Sequence, residues 1–209
     1  MSARTKSRIP EIAIVDDLEK CEKEVLEALL AIPDGGACRI VINSGGGSVY
    51  AGLGIATLIR LKRLEATAVV LADCSSSAVL VFAACPIRQV APHASLLFHP
   101  MQWSSEERSR LSGATGWARE FKRIDEVCAE WICSNLELSP LVYKKWVNRE
   151  IYVTAGQLVG MGLATYIPGI PAPDSEENQP SRRRRKSQET PRVRRARILP
   201  AARRGRTRR

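Results

Sequence analysis

Four consecutive residues, Cys74, Ser75, Ser76 and Ser77, and one histidine, His99, are the side chains on which covalent chemistry could rest. The serine run lies between an apolar strand-like stretch and an apolar helix-like one. A serine just inside a helix N-terminus is placed for nucleophilic attack. Unpaired backbone N–H groups and the positive end of the helix dipole stabilise negative charge there. His99 closes a second strand-like stretch, residues 95–98, and could take the serine's proton. The tetrahedral intermediate of acyl transfer needs two N–H donors. The run Gly45-Gly46-Gly47 offers one, and the N–H of Ser77 offers the other. Each feature alone has a plainer use: serines before a helix cap it, and a histidine beside proline is often structural. Position joins them. The glycine run, the serine turn and the histidine each follow a strand, and in parallel sheets functional loops collect at the strands' carboxyl ends.

The elements that must hold these residues can be read from periodicity. Residues 12–15 form a short apolar strand. Asp16, with Glu19 three residues on, signals a helix start. Leu18, Cys21, Val25, Leu29 and Ile32 then recur at helical spacing. Pro33-Asp34-Gly35-Gly36 ends that helix in a turn. Residues 38–42 (CRIVI) read as a strand buried in a parallel sheet. The glycine run comes next, and its lack of side chains lets backbone approach a ligand closely. It is not a P-loop, since no Gly-Lys-Ser/Thr follows, nor is it the dinucleotide fingerprint GxGxxG. Ser48 caps a helix over residues 49–62. Residues 66–71 are another buried strand, and the serines open a helix that Pro86 stops.

Short strands follow at residues 89–91 and 95–98. This alternation predicts an α/β fold with a largely parallel sheet. Residues 101–115 read as a loop or the start of a helix. Trp117, Phe121, Ile124, Cys128 and Trp131 recur at 4-3-4-3 spacing and mark a long amphipathic helix to residue 136. Such a stripe serves a core or a subunit contact rather than a cofactor. Ser139 and Pro140 restart a helix. A strand at 151–153 precedes a capping box, Thr154 with Gln157, whose short helix closes at Gly162. Residues 164–167 supply a last strand.

The chain has 209 residues, enough for one domain with a full hydrophobic core. No apolar run approaches transmembrane length, and residues 1–17 lack the apolar region of a signal peptide. A cytoplasmic protein is expected. The six cysteines lack metal-site spacing such as CxxC and are expected to be reduced. Neither a metal nor a cofactor is expected. The formal net charge of +10 is an average over unlike parts. Residues 182–209 hold 14 of the 32 Lys and Arg and one acid, Glu189, whereas residues 1–173 carry 18 basic and 18 acidic residues. From residue 170 onward, apolar residues are too few to offset the entropy of ordering, so 170–209 is expected to be a disordered, Arg-rich tail. Its charge suits nucleic acid or another anionic surface. It has no aromatic residues for base stacking.

Residues 42–52 (INSGGGSVYAG) resemble the INSPGGSVxAG signature of the Clp protease proteolytic subunit and its relatives, with Gly45 where proline is usual. Cys74-Ser75-Ser76-Ser77-Ala78, followed by Pro92 and ASLLFHP at 94–100, resembles that family's serine elbow and histidine strand. Residues 150–163 (EIYVTAGQLVGMGL) resemble the segment that carries its third catalytic residue. The resemblance runs over residues 12–168 in the same order. It implies a domain at 12–169 with a ClpP/crotonase-type spiral of βαβ units, an N-terminal extension at 1–11 and the tail at 170–209.

It also implies a serine endopeptidase acting on peptides or unfolded protein through a Ser-His-acid triad and an acyl-enzyme. The triad would be Ser76, His99 and Glu150, with Asn148 a weaker substitute for the acid. Backbone N–H groups of Gly46 or Gly47 and of Ser77 would form the oxyanion hole. An ungapped match places Cys74 at the nucleophile. Matching the helix end at Ala83-Ala84 and Arg88 favours Ser76, and Ser75 and Ser77 stay open. The helix over 116–136 would be the handle that pairs subunits in a homo-oligomer. The short N-terminus does not resemble the axial-loop region that docks a ring ATPase, so that partner is not expected. A catalytically inactive scaffold or adaptor of the same fold, tethered by its basic tail, is the alternative. A crotonase-type acyl-CoA enzyme shares the fold, but no CoA-specific signal is present.

Overall fold

A computed structural model describes residues 9–102 and 111–172. The expected loop before the long helix (in part), the start of the N-terminal extension and nearly all of the Arg-rich tail lie outside the described residues.

The first strand, β1 (Glu11–Asp17), leads into helix α1 (Leu18–Leu30). Asp17, not Asp16, is the cap: its carboxylate accepts from the N–H of Glu19 at 2.8 Å. Asp16 instead takes a left-handed φ of 68°. Strand β2 (Ala37–Gly46), helix α2 (Val49–Leu61) and strand β3 (Glu65–Ser75) follow. β2 and β3 both outrun their apolar cores. β2 continues through Asn43, Ser44 and Gly45, and β3 continues through Ala72, Asp73 and Cys74. Polar and small residues stay in strand conformation there because neighbouring strands take up their backbone hydrogen bonds.

Helix α3 (Ala78–Ala84) then runs to Cys85 and Pro86, and strands β4 (Ile87–Val90) and β5 (Ser95–Phe98) follow. The long helix α4 (Leu111–Leu136) is joined to α5 (Pro140–Asn148). Ser139 precedes α5 in extended conformation with Pro140 in the first turn, but its side chain makes no capping bond. Strand β6 (Ile151–Thr154), helix α6 (Ala155–Gly160) and strand β7 (Thr165–Tyr166) complete the order. The expected capping box on α6 is present in both directions, and Gly162 adopts a positive φ after it.

The sheet runs β1-β2-β3-β4-β7, all parallel, and β3 is its branch point. Thr67 to Val70 pair with β4, whereas Asp73, Cys74 and Ser75 pair with Ser95, Leu96 and Leu97 of β5. β6 adds to β5 antiparallel, Phe98 opposite Ile151. The expected largely parallel α/β fold is therefore observed, with one antiparallel pair. Every residue of α3 is buried, so that helix is the middle of the core. α4 lies across it: Ile124, Cys128, Ile132 and Leu136 are buried, and the indole N–H of Trp131 donates to the carbonyl of Leu80 at 3.3 Å. Among the described residues no helix is long and apolar enough to cross a membrane.

Candidate active site

The branch in β3 delivers the serine run to one place. β3 ends at Ser75, and Ser76 turns the chain into α3 with a φ of +56°. A residue carrying a Cβ enters that left-handed region at a cost of about 1–3 kcal/mol, and only when its surroundings over-determine it. Two contacts do so here. The N–H of Ser76 donates to the carbonyl of Leu97 at 3.1 Å, which ties the turn to β5. Behind it lies Gly46: a Cβ there would sit 2.6 Å from Cβ of Ser76 and 2.8 Å from the carbonyl oxygen of Ser75. Only a glycine with positive φ fits, which accounts for this part of the glycine run.

The four contiguous candidates have different fates. Cys74 is fully buried, and burial pushes its thiol well above the ordinary range. Ser75 is buried and donates to the carboxylate of Asp73. Ser77 is buried and donates to the carbonyl of Gly47 at 3.1 Å. Ser76 is half-buried, has no hydroxyl partner among the described residues, and lines a cavity of about 450 Å³.

His99, at the end of β5, lines the same cavity. Its Nδ1 lies 2.7 Å from the carbonyl oxygen of Pro100. A carbonyl only accepts, so this contact places the neutral ring's proton on Nδ1 and leaves Nε2 with its lone pair. The cavity therefore holds a hydroxyl and an imidazole in the tautomer that can receive its proton.

The N–H groups also separate. That of Gly46 donates to Ser44 Oγ at 3.1 Å, and Ser44 in turn donates to the carbonyl of Asp16. Gly46 thus supports the turn, and its N–H is occupied. Gly47 lines the cavity with a φ of +122°. Among the described residues no hydrogen bond takes the N–H of Gly47 or of Ser77. Asp17 packs against Gly47, where any Cβ would collide with its carboxylate.

Glu150 stands apart from this group. It follows α5 with a φ of +49°, and its N–H donates to the carbonyl of Val147 at 3.1 Å. It immediately precedes β6, whose first residue, Ile151, pairs with Phe98, the residue before His99. Its side chain is exposed, does not line the cavity, and makes no hydrogen bond or ion pair among the described residues. The nitrogen that an orienting acid would hold is held by Pro100 instead. Asn148, the weaker substitute, is also exposed and outside the cavity.

The cavity also holds polar residues that are absent from the sequence-based site, among them Glu120 and Asp125 of α4 and Tyr143 of α5. The signal was present in part. Asp125 adjoins Ile124 of the apolar stripe, but periodicity alone cannot tell a stripe that fills a core from one that walls a cavity. No cluster among the described residues could hold a metal ion.

The model of one protein family, described as Clp protease, matches residues 12–169. No curated protein matches the chain.

Proposed function

The chain belongs to the Clp protease family, and from that premise we propose that it is a serine endopeptidase with Ser76 as nucleophile. The observation that carries the reading is the contrast within residues 74–77: three side chains are buried, two of them hydrogen-bonded, and Ser76 alone is half-exposed, with no hydroxyl partner among the described residues, in the cavity that His99 also lines. The family degrades peptide substrates and generally forms oligomers.

Ser76 Oγ attacks the peptide carbonyl carbon while His99 Nε2 takes its proton. The carbonyl π pair moves to the oxygen, where the N–H groups of Gly47 and Ser77 receive the charge. Collapse of the intermediate breaks the C–N bond, and His99 returns the proton to the leaving amine. Water, deprotonated by His99, then releases the acyl group. The Pro100 carbonyl keeps the ring in the required tautomer. The handle-like α4 is the subunit contact we assign to a homo-oligomer.

A fluorophosphonate probe tests the assignment. The folded chain is expected to be labelled, Ser76→Ala to lose the label, and Ser75→Ala and Ser77→Ala to keep it. A label that persists in Ser76→Ala overturns the nucleophile. A folded chain that no probe labels supports the inactive scaffold instead.

A further inference from the structure

The cavity in front of Ser76 carries polar groups that the chemistry above does not use, Asp125 and Tyr143 among them. Its walls are mostly apolar, with Val79 and Leu80 from α3 and Phe121 and Ile124 from α4. Two carboxylates line it, Glu120 and Asp125, and among the described residues no lysine or arginine does. Glu120 is already neutralised: Arg123 donates to it at 2.6 and 2.8 Å. Asp125 has no hydrogen bond or ion pair among the described residues. Its side chain is exposed at the cavity's edge, and partial burial, then the charge of Glu126, raise its proton affinity. Tyr143 lies within its electrostatic reach: burial first, then the charge of Asp125, disfavours ionisation of the phenol. The Tyr143 hydroxyl likewise has no hydrogen-bond partner among the described residues.

A cavity of this kind has the form of a side-chain subsite. An apolar passage suits a methylene stem, and a carboxylate and a phenol oxygen lining the same cavity suit a cationic tip. A neutral apolar side chain would fill the volume but offer the exposed carboxylate no charged partner. Resting on the peptidase reading, we propose that the residue on the acyl side of the scissile bond is lysine or arginine. Its stem packs on Leu80 and Ile124, and its ammonium or guanidinium donates to Asp125 and Tyr143.

Two diphenyl phosphonate probes that differ only in a lysine or a norleucine side chain test this on the full chain, by their rates of Ser76 labelling. The lysine probe is expected to react about tenfold faster or more, the worth of one charge-assisted hydrogen bond. Asp125→Asn brings the ratio near one, and Asp125→Lys inverts it, because a cation then faces a cation. Equal rates in the unaltered chain, or a lysine preference that survives Asp125→Lys, overturn the subsite while leaving the peptidase intact. A folded chain that neither probe labels overturns both.

Discussion

At Ser76 the backbone carries strain where chemistry is proposed, and its neighbours divide the remaining work among them. Gly46 makes room behind the turn and spends its N–H on Ser44, while no described residue takes the N–H of Gly47 or Ser77. The histidine raises a sharper question, because a carbonyl rather than a carboxylate holds its Nδ1. Glu150→Gln decides how much the acid matters. With Pro100 fixing the tautomer, kcat/KM on a peptide substrate is expected to fall less than about tenfold, against about 10⁴-fold where an acid alone sets the ring. A loss of the larger size would mean that the side chain of Glu150 swings to His99 in the working enzyme and displaces the carbonyl. The residue types of the site were legible in the sequence, and the glycine motif placed them in order. The choice of Ser76 among residues 74–77 came there only from the family resemblance, because the partners that engage its neighbours are distant in the chain: Gly47 for Ser77, the core for Cys74. Only Asp73, which holds Ser75, is a near neighbour.

The elements that position these residues meet at α3. This helix has no solvent face, and its first turn follows directly from the strained serine. Phe82, fully buried, is its largest side chain. Phe82→Ala is expected to cost about 3–5 kcal/mol, from lost burial and the cavity left behind, read as a shift in the urea midpoint. A cost under about 1 kcal/mol, the range of tolerated surface changes, would mean that the core repacks freely around α3. Element order and type were readable from period alone, since the apolar stretches of β2 and β3 and the stripes of α1 and α4 dominate their windows. The ends were not. The polar residues that finish β2 and β3 read as loop or helix start, yet they are strand because β1 and β5 pair with them. That extension moves Ser75 out of the helix and makes Ser76 the turn. A non-local pairing thus decided the register of the site, and local pattern carries no record of it.

Across the whole molecule, charge and burial are kept apart. Residues 1–173 balance their charges, while residues 182–209 carry 13 arginines and a single lysine. Arginines stay protonated to about pH 12 and beyond, so the charge of residues 182–209 is constant through neutral and mildly alkaline pH. The groups that respond to alkali are inside. Burial pushes the thiols of Cys74 and Cys85 up, and lifts that of Cys128 from 9.0 to about 11. Burial also raises the phenol of Tyr143. Once unfolded, the thiols lose their protons near the ordinary value. Above that value the folded chain binds more protons than the unfolded one, and stability falls as pH rises. The contribution of Cys128 is thus complete below pH 9 and is lost as pH climbs through about 11. Thermal melts between pH 7 and 11 are expected to be level to about pH 8.5 and then to decline. A double variant, Cys85→Ala with Cys128→Ala, should start lower, because it loses packing, yet decline less steeply. Parallel declines in the two proteins would assign the alkaline loss to other groups, and the exposed lysines, whose number both proteins share, would be the first to test.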